Sequence, residues 1–91
     1  MPFSKPTRRV DVHGHLDTVR LARVMDLVWE ARGAGLVLDL SAATVDEYDL
    51  EILLSGLRRV RRGEPVVVIS PDPEMHELVE RYEADDFVMV A

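Results

Sequence analysis

The feature that most constrains the fold of this chain is a regular alternation of short apolar runs with segments of helical period. Strand-like runs occupy residues 9–13, 36–40, 65–70 and 87–90, and three amphipathic segments separate them. Strands that alternate with helices form parallel sheets through crossover connections. We therefore predict a single α/β domain of order β-α-β-α-β-α-β, with helices packed on a four-stranded sheet that is largely parallel or mixed.

The three amphipathic segments carry signals for helix boundaries. Asp17 and Thr18 are suitable caps for a helix over residues 19–32, and Gly63 is expected to end the second helix. Asp72 followed by Pro73 is a strong start signal for the third. Each predicted inner face has apolar residues at helical spacing. They are Leu21, Val24, Met25 and Val28 in the first helix, Leu50, Leu53, Leu54 and Leu57 in the second, and Leu78, Val79 and Tyr82 in the third. Trp29, in the first helix, is expected in the core or half-buried.

Length and composition limit the classes of function. A chain of 91 residues, 47% of them apolar, suits one small packed domain, which we place at residues 9–91 after an arm at residues 1–8. The absence of cysteine excludes disulfides and thiolate metal sites. No apolar run approaches the roughly 18 residues of a membrane helix, and a signal-peptide pattern is lacking. We therefore expect a cytoplasmic protein without direct membrane insertion. The net charge of −6 disfavours nucleic acid as a partner.

The segment most informative about function, residues 36–54, runs from a buried strand through a short loop into the second helix. Such loops, at the carboxyl ends of strands, commonly hold the binding sites of α/β folds. Acidic residues at the helix start complement its dipole, and Asp46 with Asp49 resembles a capping pair. A binding surface at the same place is compatible with that role. Tyr48 is either an exposed anchor for a partner or folded back over the sheet end.

Three short motifs support a family resemblance. They are Gly14-His15-Leu16-Asp17, Asp39-Leu40-Ser41, and the leucines Leu50, Leu53 and Leu54. Their order and spacing resemble STAS domains, the family of anti-sigma factor antagonists and of the cytosolic tails of sulfate transporters. The resemblance implies a non-enzymatic domain of bacterial signal transduction and transcription regulation, without a cofactor, that binds a kinase-fold anti-sigma factor. Family members begin with a β-hairpin, and its first strand would be truncated in this chain. We therefore expect an open edge of the sheet, which is a possible contact for a homodimer.

The switch position of the family is altered in this chain. The phosphorylatable serine of STAS domains matches Glu47 when the leucines are aligned, and matches Tyr48 when Asp-Leu-Ser is aligned; the helix register favours Glu47. We therefore expect a fixed negative charge and no serine switch. By resemblance, the partner-binding residues are Asp17, Thr44, Asp46, Glu47, Tyr48, Asp49 and Leu50. The alternatives are an accessory STAS subunit of a membrane transport complex and a self-associating structural domain.

Two further patterns favour structural interpretations over chemistry. His13 and His15 have the His-x-His spacing of metal-dependent amidohydrolases, but the remaining ligands and the length of a barrel are missing, so neither a catalytic nor a metal site is expected. Four arginines near the end of the second helix complement its dipole, and no aromatic residues are interleaved for base stacking. They are Arg58, Arg59, Arg61 and Arg62.

Overall fold

A computed structural model describes residues 6–62 and 64–91 of the chain. Seven elements follow in the predicted order: β1 Thr7–His15, α1 Thr18–Glu30, β2 Gly35–Thr44, α2 Glu47–Arg61, β3 Val66–Ile69, α3 Glu74–Arg81 and β4 Val88–Val90. The four strands form one parallel sheet in the order β1-β2-β3-β4. The predicted α/β class and element order are therefore confirmed.

The sheet has one face covered by helices and one face open. Consecutive strands are neighbours, and crossovers of the usual right hand then place all three helices on the same side. On the covered face, Leu38 is completely buried and Val68 is 2% exposed. Alternate residues form rows across the open face, and Arg9, Val37, Val67 and Met89 occupy one such row.

The first strand begins earlier than predicted. β1 starts at Thr7, so Thr7 and Arg8 belong to the sheet although the arm was predicted to extend to residue 8. Residues 1–5 lie outside the described part of the chain. β1 pairs only with β2, so in residues 6–62 and 64–91 no strand lies along its outer side. A nine-residue strand thus forms one edge of the sheet.

The second strand is longer than predicted because it contains a bulge. β2 continues to Thr44 rather than ending at Leu40, so only two residues separate it from α2. Asp11 lies opposite Asp39, but His13 lies opposite Ala42, which gives β2 one extra residue. The Asp39 carboxylate accepts hydrogen bonds from the Ser41 backbone N–H and hydroxyl, at 2.9 and 2.6 Å. These bonds lower the pKa of Asp39, and the nearby guanidinium of Arg9 adds to the effect.

The inner faces of the helices agree largely with the predicted stripes. The four leucines of α2 are all at most 3% exposed, and Leu21, Val24 and Val28 of α1 are buried. The start of α3 is one residue later than predicted, because Pro73 is its N-cap and Asp72 accepts a hydrogen bond from the Glu74 N–H. The expectation for Trp29 is not met, since it lies at the surface, 52% exposed, with the Arg32 guanidinium 3.5 Å from its ring centroid.

An arginine is part of the core. Arg61 is 1% exposed, and its guanidinium donates to the carbonyl oxygens of Ala31 and Ala34 at 3.0 and 2.8 Å and to that of Pro65 at 3.1 Å. These carbonyls follow the end of α1 and precede β3, so Arg61 joins three segments. The end of α2 is formed by Arg62 in the left-handed conformation, φ 51°. Gly63, which was expected to end this helix, lies outside the described residues.

Candidate protein-binding site

The carboxyl ends of β1 and β2 converge beside the start of α2. The N–H of Leu16 donates to the Thr44 carbonyl at 2.8 Å, which holds the two strand ends together. Nδ1 of His15 lies 3.1 Å from the Thr44 hydroxyl, and its Nε2 lies 3.9 Å from an Asp46 carboxylate oxygen. All three side chains are exposed. The structure therefore brings Thr44 and Asp46 together, and adds His15 as a residue between them.

The Gly-x-Leu-Asp motif shapes the turn that leads into α1. Gly14 has φ +76°, and a Cβ there would lie 3.2 Å from the Arg20 guanidinium, so both backbone and space favour glycine. Leu16 is fully buried. The Asp17 carboxylate accepts a hydrogen bond from the Arg20 N–H at 2.9 Å and caps the helix. Asp17 is exposed, but one of its carboxylate oxygens is occupied by this cap.

Glu47, at the first position of α2, is bound to the end of α3. One of its carboxylate oxygens accepts hydrogen bonds from the Arg81 guanidinium and from the Tyr82 hydroxyl, the latter at 3.1 Å. Burial raises the pKa of Tyr82, and the hydrogen bond to the negative Glu47 raises it further. Glu47 thus joins the start of α2 to the end of α3 and is not a free carboxylate.

The capping pair predicted at this helix start does not form. Asp46 is the N-cap residue, but its side chain makes no capping hydrogen bond; only its carbonyl accepts from the Leu50 N–H, at 2.8 Å. Asp49 is 8% exposed and Leu50 is 2% exposed. Two of the predicted partner-binding residues are therefore turned inward, because they fall on the core side of α2. They position the helix, and their side chains are not available at the surface.

The exposed side of α2 carries an apolar and polar stripe that we call the α2 ridge: Tyr48, Glu51, Ile52 and Ser55. Tyr48 is 71% exposed and Ile52 is 38% exposed, so of the two predicted placements of Tyr48 the exposed one is found. One groove of about 380 Å³ lies along the ridge and reaches Gly56 and Arg59. A second, of about 360 Å³, separates it from Tyr82 and Ala84. Sequence reasoning missed Ile52, although its place four residues after Tyr48 was a usable signal.

The histidines and the arginine run were the other candidates for a site. His13 and His15 are both exposed, and the described residues contain no group of three or more His, Cys, Asp or Glu side chains that could hold a metal ion. Two of the four arginines of the run make contacts within the fold. Arg61 is buried, while Arg58 donates to the Glu83 carbonyl and lies 5.3 Å from the Phe87 ring centroid.

Comparison with known proteins gives no assignment. No family model matches this chain, and no curated protein matches it. The resemblance to STAS domains therefore depends on the motifs and their order. Within residues 6–62 and 64–91, no helix combines the length and the apolar character needed to cross a membrane.

Proposed function

We propose that this protein is a non-enzymatic, protein-binding regulatory domain that acts in the cytoplasm in the manner of anti-sigma factor antagonists. Its partner would be an anti-sigma factor with an ATP-binding kinase fold. The observation that carries the proposal is the α2 ridge, where Tyr48 is 71% exposed directly beside the acidic residues of the helix start. An exposed tyrosine provides a large contact area at a small cost in side-chain entropy.

The charges around the ridge support a partner with a complementary basic surface. Asp46, Glu47 and Glu51 are exposed within the loop and first turns of α2, and Arg81 offsets Glu47. By resemblance, Glu47 stands where STAS domains carry a reversible phosphate, and here it is a fixed carboxylate paired with Arg81. The remaining negative charge of this surface then comes from Asp46 and Glu51. The domain would hold one binding state, because it lacks the serine on which the switch depends.

The first experiment identifies the partner. The full chain is used as bait in an extract of its native cells, beside the variants Tyr48→Ala and Met89→Ala. Met89 is a matched control, because it is 66% exposed but lies on β4, away from α2. We expect capture of an ATP-binding anti-sigma factor by the wild type and by Met89→Ala, and loss of capture by Tyr48→Ala. Recovery of transporter subunits in its place would support the accessory-subunit alternative.

The second experiment tests the locked state. The protein is incubated with the captured kinase and ATP, and phosphate is located by mass spectrometry. We expect none on the wild type, and phosphate at position 47 in the Glu47→Ser variant, which restores a hydroxyl. Phosphate on Ser41, Thr44 or Tyr48 of the wild type, accompanied by weaker binding, would contradict the locked state while leaving the binding surface in place.

A further inference from the structure

Among residues 6–62 and 64–91, no strand pairs with the outer side of β1, so a row of its backbone hydrogen-bonding groups has no strand partner there. The Gly35 N–H donates to the Pro6 carbonyl and the Leu16 N–H to the Thr44 carbonyl, so even-numbered residues direct their backbone groups towards β2. Because these directions alternate along a strand, the odd-numbered residues direct theirs outward. These outward groups belong to Thr7, Arg9, Asp11 and His13. Such an edge is a template for another strand.

The charges of β1 are arranged so that the strand can complement itself. Arg9 and Asp11 lie on either side of Val10, on the open face of the sheet. Within one chain the Arg9 guanidinium donates to the Asp11 carboxylate at 2.9 Å and to that of Asp39, so pairing of two strands would share these ion pairs between the copies. If a second β1 lies antiparallel to the first with Val10 opposite Val10, each Arg9 is opposite an Asp11 of the other copy. Shifting the pairing by two residues in either direction places Arg9 opposite Arg9 or Asp11 opposite Asp11. Like charges directly opposite each other destabilise a strand pair.

The same register satisfies the backbone geometry. In this register Arg9 lies opposite Asp11, and Thr7 lies opposite His13. The backbone groups of all four residues point outward, so each pair exchanges two hydrogen bonds. Two copies would gain about eight such bonds. Val10 then forms the non-hydrogen-bonded pair at the two-fold axis, where the Cα atoms lie about 4.5 Å apart.

An exposed leucine borders this edge. Arg20 reaches the carbonyl of His15 at the end of β1, at 2.8 Å, which shows that its side of α1 faces β1. Leu27 is two helical turns further along the same side and is 46% exposed. A two-fold axis at Val10, perpendicular to the sheet, would bring the Leu27 side chains of two copies towards each other. An apolar contact thus accompanies the strand pairing.

We propose that two copies of this chain associate through antiparallel pairing of their β1 strands, with Arg9 opposite Asp11 and Val10 on the two-fold axis. The interface joins the two parallel sheets into one of eight strands. It uses β1 and α1, and leaves the α2 ridge of each copy exposed, so it does not depend on the proposed function. A dimer would present two ridges to its partner.

The test uses charge reversal in complementary chains. Arg9→Asp makes both positions acidic and Asp11→Arg makes both basic, so each variant repels itself across the axis. When the two variants are mixed, an Asp of one chain lies opposite an Arg of the other at both positions. Sedimentation equilibrium is expected to show a wild-type dimer, at least roughly tenfold weaker association of each variant alone, and heterodimers in the mixture. A monomeric wild type, or variants that dimerise as the wild type does, would overturn the proposal.

The register has its own test, because the chain contains no cysteine. Val10→Cys is expected to form an intermolecular disulfide on mild oxidation, since disulfides need Cα atoms about 4.4–6.8 Å apart. Val12→Cys is the matched control. It lies on the same buried face, but its Cα atoms would be about 13 Å apart across the axis. Circular dichroism establishes that both variants are folded. Cross-linking of Val12→Cys but not Val10→Cys would refute this register.

Discussion

Replacing Arg61 is expected to destabilise the protein more than replacing any other arginine of the α2 run. The guanidinium is 1% exposed and satisfies three carbonyl oxygens, two of them at the end of α1. The variant Arg61→Met keeps much of the side-chain volume but removes all donors. The three carbonyls then lose their charged donor, and that of Ala31 keeps a backbone donor, the Ala34 N–H at 3.1 Å.

The size of the effect follows from these bonds. A hydrogen bond from a charged donor contributes about 1.5–3 kcal/mol, and each buried acceptor left unpaired costs about 1–3 kcal/mol. Removing the buried charge also removes its desolvation penalty; the Nε of Arg61 has no partner among the described residues and contributes to that penalty. We therefore expect a net loss of about 3 kcal/mol. For 91 residues the whole stability is on the order of 5–14 kcal/mol.

Urea unfolding followed by circular dichroism measures this loss. Arg59→Met is the matched control, because Arg59 is exposed on the same helix and its replacement should change stability by no more than about 0.5 kcal/mol. Arg61→Lys should fall between the two, because an ammonium group cannot reach three carbonyls in the guanidinium geometry. A loss below about 1 kcal/mol for Arg61→Met would refute the assignment of Arg61 as a clamp of the core.

Three further predictions concern the site and the core. Glu47→Gln should lower the pKa of Tyr82 towards its ordinary value, because the negative hydrogen-bond acceptor is lost; an ultraviolet titration that finds no change would contradict the pairing. Ser41→Ala should raise the pKa of Asp39, measured by NMR. A carboxyl group whose pKa is lowered by folding stabilises the fold at pH values above its unfolded pKa of about 4. This stabilisation disappears as the pH falls through the lower pKa of the folded state. The Ser41→Ala variant has less of this stabilisation, so its free energy of unfolding should fall less in acid than that of the wild type. Leu57→Ala should lower the free energy of unfolding by about 2–5 kcal/mol, because Leu57 is fully buried. Ile52→Ala should lower it by about 1 kcal/mol or less, because Ile52 is 38% exposed. Equal losses in urea unfolding would show that the helix is oriented differently.

Local sequence patterns predicted the elements of this fold because they depend on short-range regularities. The leucine stripe of α2 is set by helical spacing, and all four of its members are buried. The bulge in β2 was missed, although it depends on the local pair Asp39 and Ser41. The bulge interrupts the period-two alternation of side chains, and the apolar run ends at Leu40, so the pattern predicted that the strand ends before the bulge.

Long-range pairing was beyond sequence reasoning. Glu47 and Arg81 are 34 residues apart, and only the packing of α3 beside α2 brings them together. Arg61 was interpreted as one of four cations at a helix end. Its place four residues after Leu57 puts it on the inner face of α2, but the carbonyls that it binds are distant in the sequence. Trp29 was expected in the core or half-buried, but it lies beside the apolar stripe of α1 and its ring contacts the Arg32 guanidinium at the surface.

The central claim, that the α2 ridge is a protein-binding surface, is tested most directly by a binding titration. The ATP-binding anti-sigma factors encoded in the same genome are purified, and their affinity is measured for the wild type, Tyr48→Ala and Met89→Ala. The account predicts that at least one binds the wild type and Met89→Ala equally, and binds Tyr48→Ala about tenfold more weakly or worse, as expected of a central aromatic contact. Equal affinity for all three proteins, or binding by none of these factors, would contradict it.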